Sequence, residues 1–190
     1  MKWGRRNERA MTMERPGIYL VTGIMASGKS TVAQLLSERF EKSVHLRGDL
    51  FRRMIVNNRK EINPNLGKVE ADQLLLRYRL AAQAADTYVQ AGFTVVVQDV
   101  VIGPMLLDFI SYIHSRPLYV VVLCPNPTVV ARREEARSKK GYGNWTVEAL
   151  DAVLRNETPR IGMWLDSSEW TPEQTVAEIM AKSHKEALLK

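Results

Sequence analysis

Cysteine, histidine and long apolar runs are scarce in this sequence of 190 residues, and each scarcity excludes a class of protein. The one cysteine, Cys124, has no partner in the chain, so we expect a buried thiol in a cytoplasmic protein rather than a disulfide scaffold. The three histidines, His45, His114 and His184, lack the spacing of metal ligands, which argues against a zinc site. The apolar runs have strand length and fall far short of the roughly 20 residues that cross a bilayer, so no membrane partner is expected.

Hydrophobic and basic residues, in contrast, are plentiful. Hydrophobic residues make up 45% of the chain and charged residues 25%, which is typical of a globular domain with a substantial core. Lys and Arg number 27 against 21 Asp and Glu, and the net charge of +6 suits a phosphorylated ligand or a nucleic acid. Part of this excess lies in residues 1–15, a basic leader that we expect to be poorly ordered. Residues 16–190 are then expected to form a single domain.

The most informative stretch runs from Gly23 to Ser30 and reads G-x-x-x-x-G-K-S, the Walker A or P-loop pattern. A β-prone run, 18–21, precedes it, and a helical pattern over 31–40 follows it, which is the context that the motif needs. The glycines let the chain curl around an anion, and the helix N-terminus adds unpaired N–H groups. We therefore predict that Lys29 reaches the β- and γ-phosphates of ATP and that the Ser30 hydroxyl ligates Mg²⁺. The residues expected to contact the nucleotide in this loop are Gly23, Ala26, Ser27, Gly28, Lys29, Ser30 and Thr31.

Strands and helices alternate along the rest of the chain. This alternation predicts a three-layer α/β fold of the P-loop NTPase type, with a five-stranded parallel sheet and helices on both faces. The later strands are predicted at 43–46, 93–97, 118–123 and 161–165, and the helices at 50–56, 69–91, 105–114, 127–137, 147–157 and from 172 onward. A basic, glycine-punctuated segment at about 138–146 has the composition of a small lid. The helical periodicity predicts buried positions at Leu50, Phe51, Met54, Leu75, Leu76, Leu80, Ala84 and Val89.

Acidic residues follow two of the predicted strands. Asp49 follows the second strand and Asp99 the third, and the carboxyl ends of parallel strands meet at one edge of a sheet. Asp99 ends an apolar strand and is predicted to hold Mg²⁺ directly or through water, the alternative being a turn or helix-capping aspartate. Asp49 is predicted to meet an acceptor hydroxyl and take its proton, the alternative being a cap for the following helix.

Two arginines lie four residues apart further along the chain, at Arg133 and Arg137. On a helix they share one face, where they can clamp a phosphoryl group during transfer. The alternative is a solvated face on which these arginines pair with neighbouring acidic side chains such as Glu134 and Glu135.

These motifs together resemble the chloramphenicol phosphotransferase-like group of small P-loop kinases, kin to shikimate and gluconate kinases. The resemblance covers about residues 18–180 and rests on the P-loop, Gly48-Asp49, the segment 98–103 and the segment 133–137. It implies that Asp49 is the base that activates the acceptor hydroxyl and that Arg133 and Arg137 meet ATP phosphates at the lid. Gln98 departs from the pattern, since the antibiotic kinase has paired acidic residues at that strand end.

The function that these observations predict is ATP-dependent, Mg²⁺-assisted phosphoryl transfer to a hydroxyl of a small molecule. A basic cluster on the acceptor side suggests that the acceptor carries a carboxylate or phosphate; its members are Arg47, Arg52, Arg53, Arg59 and Lys60. A polynucleotide 5′-hydroxyl kinase, favoured by the basic charge, is a less favoured alternative. A nucleotide-binding ATPase or switch without an acceptor is another. The sequence leaves open the choice of ATP over GTP and the oligomeric state.

Overall fold

The computed structural model describes residues 15–62, 67–138 and 141–189. The predicted leader lies outside the described residues except for Arg15, and so do Lys139 and Lys140 of the predicted lid. The strands are β1 Ile18–Gly23, β2 Ser43–Arg47, β3 Thr94–Gln98, β4 Leu118–Leu123 and β5 Met163–Leu165. The helices are α1 Lys29–Ser37, α2 Asp49–Arg53, α3 Lys68–Gln90, α4 Met105–Tyr112, α5 Pro127–Glu135, α6 Val147–Ala152 and α7 Pro172–Glu186, with a π-helical turn, Val153–Glu157, directly after α6.

All five strands are parallel and pair in the order β2-β3-β1-β4-β5. Alternate residues of the central strand β1 point to opposite faces of the sheet, as strand geometry requires. Ile18 and Leu20 join a core with α3 and α4, whereas Tyr19 and Val21 join a second core with α1 and α7. The predicted three-layer α/β fold is therefore confirmed, and no helix in the described ranges has the length and hydropathy that a bilayer crossing demands.

Side-chain caps fix three helix starts where the sequence predicts them. Asn126 Oδ1 accepts from Thr128 N at 3.0 Å ahead of Pro127, and Thr146 Oγ1 accepts from Ala149 N at 3.1 Å. Thr171 forms a reciprocal capping box at the start of α7. Each cap satisfies backbone donors that a helix start leaves without intrahelical partners.

The predicted burial on α2 and α3 is partly wrong. Leu50 and Met54 are 43% and 69% exposed, because α2 is only five residues long and, of the three predicted positions, turns only Phe51 toward the core. On α3, Leu76 and Leu80 are 47% and 37% exposed. The predicted apolar pattern of α3 includes three consecutive leucines, so periodicity alone does not decide which face of the helix is buried. Packing selects the stripe that contains Leu74, Tyr78, Ala81, Ala82 and Ala85.

Candidate active site

The loop between β1 and α1 has the backbone of a phosphate cradle. Gly23 has a φ of +148°, and a Cβ placed there would lie 2.5 Å from the Leu123 carbonyl oxygen and 2.8 Å from Ser27 Oγ. Gly28 caps α1 with a φ of +97°, and Ala26 also adopts a left-handed φ of +58°. Ser27 Oγ is buried and makes no hydrogen bond within the described part of the chain. The predicted loop therefore has the curled backbone that phosphate binding needs.

Lys29 lies buried at the base of this loop. Its Nζ donates to the Ile24 carbonyl oxygen at 2.9 Å. Burial lowers the pKa of the Lys29 ammonium to about 8, Asp99 and Asp49 oppose this shift, and Arg137 adds to it. These electrostatic partners come from three different parts of the chain, so the predicted convergence at one sheet edge is present in the structure.

Ser30 and Thr31 follow Lys29 on the first turn of α1 and are exposed to solvent. Both line a surface pocket on the β2 side of the helix, together with His45 and Arg47. Ser30 can offer a hydroxyl oxygen to Mg²⁺, which prefers oxygen ligands and keeps several waters. The described residues contain no cluster of three or more side chains of the types His, Cys, Asp and Glu that could hold a metal alone.

Asp99 is engaged by Arg77, a residue that the sequence analysis missed. Arg77 Nε donates to Asp99 Oδ2 at 2.9 Å, and Arg77 Nη2 contacts Asp99 Oδ1. Burial disfavours the charged form of Arg77, but its interactions with Asp99, Tyr78 and Asp49 together raise the pKa of the guanidinium. Gly48 leaves room for the carboxylate, because a Cβ there would lie 2.2 Å from Asp99 Oδ2. With both oxygens paired, Asp99 fits Mg²⁺ through water better than directly, and its metal role stays a prediction.

Asp49 is the first residue of α2, and Gly48 occupies the N-cap position without a side-chain cap. The alternative that Asp49 caps this helix is therefore wrong. Asp49 Oδ2 pairs with Arg53 Nη2 at 2.6 Å, and Asp49 Oδ1 lies 3.7 Å from Arg47 Nε. Oδ1 is buried and accepts no hydrogen bond from any described residue. One carboxylate oxygen is thus held by Arg53, while the other lies near Arg47 and has no hydrogen-bond donor in the described part of the chain.

Arg133 contacts the phosphate-binding loop directly. Its Nη1 lies 3.4 Å from the Ser27 carbonyl oxygen, and its Nη2 donates to the Ser167 carbonyl oxygen at 3.1 Å. Helix α5 ends at Glu135, so Arg137 lies beyond it and the prediction that both arginines share one helix face is wrong. Arg137 Nη1 pairs with Glu134 Oε2 at 3.0 Å. The solvated-face alternative therefore holds in part for Arg137, whereas Arg133 lies against the loop as the phosphate-clamp prediction requires.

The described part of the predicted lid contacts both sides of the site. Tyr142 Oη donates to the Met25 carbonyl oxygen at 2.7 Å, and Trp145 Nε1 donates to the Ile62 carbonyl oxygen at 2.9 Å. Glu134 accepts a hydrogen bond from Gly141 N. Like Arg77, these side chains were not found from the sequence, which holds no motif for them.

Most of the predicted basic cluster is paired with acidic side chains. Arg52 Nη1 pairs with Glu61 Oε1 at 2.8 Å, and Arg47 and Arg53 flank Asp49. Much of the positive charge of this cluster is therefore already paired with carboxylates.

Comparison with known proteins agrees with this geometry. A family model described as AAA domain, AAA_18, matches residues 20–152. A protein of Methanococcus maripaludis (strain C7) named "Putative adenylate kinase" is 29% identical over 171 residues, and the match covers 86% of each chain. In fold, the chain is similar to a sugar kinase from Janibacter sp. HTCC2649, with a TM-score of 0.65, 16% identity and coverage of 87% of this chain and 93% of that one. It is also similar to the Mycobacterium tuberculosis APS kinase in complex with AMPPNP and APS, with a TM-score of 0.62, 20% identity and coverage of 88% and 96%.

Proposed function

Because this chain belongs to the AAA_18 family of P-loop kinase domains, we propose that it transfers the γ-phosphoryl group of ATP to a hydroxyl of a small molecule. Asp49 carries this proposal. Its Oδ1 is buried, without a hydrogen bond from any described residue, and electrostatically coupled to Lys29. A hydroxyl acceptor needs such a carboxylate to orient the attacking oxygen and receive its proton.

The phosphates of ATP would be held by the loop and by two cationic side chains, Lys29 and Arg133. Backbone N–H groups of the loop and the α1 N-terminus would bind the phosphates, and Lys29 would reach the β- and γ-phosphates. Arg133, placed between the Ser27 and Ser167 carbonyl oxygens, would meet the phosphates from the α5 side. Mg²⁺, held by Ser30 and through water by Asp99, would neutralise phosphate charge when bound.

Arg137 would act with Arg133 once a nucleotide is present. Its guanidinium lies near Gly141, which also passes close to Met25 of the phosphate-binding loop. Exchange of its Glu134 partner for a phosphoryl oxygen would place positive charge where negative charge spreads during transfer.

A phosphate oxygen as the acceptor is the second candidate, favoured by the Methanococcus relative whose name gives an adenylate kinase. A nucleoside monophosphate needs cations for its phosphate and no base, and Arg47 and Arg53 could supply those cations. The pairing of both arginines with Asp49 favours the hydroxyl acceptor, because their charge is already partly used to hold the carboxylate.

An acceptor screen tests the proposal. Purified protein with ATP and Mg²⁺ would be offered neutral alcohols, anionic alcohols, nucleoside monophosphates and a 5′-hydroxyl oligonucleotide, with product mass measured in each arm. We expect a small alcohol to gain the mass of one phosphoryl group, and we expect Asp49→Asn to abolish this gain. Transfer only to nucleoside monophosphates, undiminished by Asp49→Asn, would establish the second candidate instead.

A further inference from the structure

Residues 141–145 touch both sides of the cleft through two side-chain hydrogen bonds to backbone carbonyls. Tyr142 Oη reaches the Met25 carbonyl oxygen inside the phosphate-binding loop at 2.7 Å. Three residues later, Trp145 Nε1 reaches the Ile62 carbonyl oxygen at 2.9 Å, at the end of the acceptor-side loop 58–62. Both rings also pack against the larger hydrophobic core, so neither is a freely moving surface group.

The segment between these two contacts is internally fixed. Trp145 N donates to the Tyr142 carbonyl oxygen at 2.8 Å, which closes a turn, and Thr146 then caps α6. The turn therefore offers a short route by which a displacement of Tyr142 could reach Trp145.

On the donor side, the segment lies against residues that would meet phosphate. A Cβ at Gly141 would be 3.3 Å from Arg137 Nη1 and 3.4 Å from Met25 Cγ, so the backbone passes close to both. The buried Glu134 joins them, since its carboxylate accepts from Gly141 N and from Arg137 Nη1. Nucleotide binding would act on this group of contacts directly.

On the acceptor side, the loop that receives Trp145 is tied to the helices that carry Asp49 and Arg77. Arg52 of α2 pairs with Glu61 at 2.8 Å. Gln73 of α3 accepts from Lys60 N at 2.9 Å and donates to the Asn58 carbonyl oxygen at 2.9 Å. Movement of Ile62 is thus linked to the placement of α2, whose first residue is Asp49.

We propose that Tyr142 and Trp145 are positioning residues that couple nucleotide binding at the P-loop to ordering of the acceptor-side loop 58–62. The proposal rests on the proposed function for its donor site but names residues outside the P-loop and the catalytic carboxylate. Coupling of this kind orders the acceptor side when ATP is in place, which limits transfer of the phosphoryl group to water.

Hydrogen–deuterium exchange with AMPPNP and Mg²⁺ as the probe tests the coupling without a known acceptor. In the wild type, we expect the nucleotide to slow exchange about three- to ten-fold in the phosphate-binding loop, in 141–145 and in 58–62, the scale of one hydrogen bond. Trp145→Phe should keep the slowing in 141–145 and lose it in 58–62. Tyr142→Phe should lose it in both segments while the phosphate-binding loop remains protected.

Two comparisons make the result decisive. Tyr88→Phe removes an exposed phenol near the opposite end of α3 and should leave all three effects unchanged. Because the two hydrogen bonds act in series, the double variant should lose no more protection in 58–62 than either single variant.

Equal protection of 58–62 in wild type and Trp145→Phe, or additive losses, would overturn the coupling. If the nucleotide does not slow exchange in the phosphate-binding loop of the wild type, both the proposed function and the coupling are overturned. If the coupling is observed but no acceptor is phosphorylated, the result counts against the proposed function alone.

Discussion

Asp49 presents two unlike oxygens to the site, and the difference between them defines its expected chemistry. Oδ2 is held by Arg53 at 2.6 Å, whereas Oδ1 is buried without a hydrogen bond from the described residues. A carboxylate that is held through one oxygen and lacks a hydrogen-bond donor on the other is suited to orienting an acceptor hydroxyl.

Asp49→Asn should lower phosphoryl transfer to a hydroxyl by roughly 10²-fold or more, the usual scale for a positioned acid–base group. The amide keeps the shape of the carboxylate but has lost its charge, while the phosphate-binding loop is untouched. ATP affinity should therefore stay within a few-fold of the wild type. Nucleotide titration and transfer rate, measured on the same preparation, check both parts.

Asp108→Asn is the matched control, because Asp108 is an exposed first-turn aspartate of another helix, α4. It should leave transfer unchanged. Transfer at wild-type rate in Asp49→Asn, together with a lowered melting temperature, would assign Asp49 a structural role.

Lys29, which we propose binds phosphate, is expected to lower the stability of the nucleotide-free protein. Burial lowers its pKa from 10.5 to about 8, so the folded protein binds this proton less tightly than the unfolded chain does. The destabilisation is complete below about pH 8 and disappears as the pH rises through 10.5.

Lys29→Met should therefore stabilise the nucleotide-free protein by about 1–3 kcal/mol at pH 7 and by much less at pH 10.5. The same change should abolish ATP binding, because the charge that meets the phosphates is gone. Urea unfolding at the two pH values measures the stability difference. Lys185→Met, on the exposed face of α7, is the control and should show no pH-dependent gain. A Lys29→Met variant that is less stable than wild type at pH 7 would contradict this account.

Helix α3 shows where sequence periodicity stops being decisive. Its limits are predicted to within one residue, because Gly92 follows the apolar pattern and ends it. The buried face of α3 is not predicted correctly, because Leu74, Leu75 and Leu76 span more than one face of the helix. Packing against the sheet and α4 chooses the stripe with the alanines, and Arg77 lies in that same stripe. Because the buried face of α3 was predicted wrongly, Arg77 was not recognised as the partner of Asp99.

The two leucines at either end of this ambiguous run give a matched test. Leu74→Ala should destabilise the protein by about 2–4 kcal/mol, because Leu74 is buried in the larger core. Leu76→Ala should cost less than about 1 kcal/mol, since Leu76 is largely exposed. Chemical denaturation of the two variants checks the difference, and equal losses would mean that the face of α3 is placed wrongly.

At the scale of the whole molecule, strand order explains why part of the site could be predicted. Parallel strands that alternate with helices place their carboxyl ends at one edge, so the sequence alone groups Lys29, Asp49 and Asp99. Contacts between side chains distant in sequence could not be grouped in this way. Arg77 with Asp99, and Tyr142 with Met25, depend on how α3 and the segment before α6 pack, which no local pattern encodes.

The net charge of +6 is the whole-molecule feature that favours a polynucleotide acceptor, and its distribution argues against one. Around the cleft, Arg47 and Arg53 pair with Asp49, Arg52 with Glu61, Arg77 with Asp99 and Arg137 with Glu134. A single strand that contacts several phosphates needs cations not already paired with carboxylates, and its affinity then falls with salt at a slope of about −0.7 for each phosphate neutralised.

A 5′-hydroxyl oligonucleotide of about ten bases should therefore bind weakly, with a slope of log affinity against log salt no steeper than about −1.5, equivalent to about two phosphates. Fluorescence anisotropy between 50 and 200 mM salt, roughly the range over which phosphate contacts are titrated, measures that slope. A double-stranded competitor without a free 5′-hydroxyl end separates end recognition from general attraction to the basic chain.

A slope of about −3 or steeper, with phosphorylation of the oligonucleotide end that Asp49→Asn abolishes, would make the polynucleotide kinase the better description. A shallow slope with transfer to a small alcohol would instead show that the basic residues serve the nucleotide and the Asp49 carboxylate.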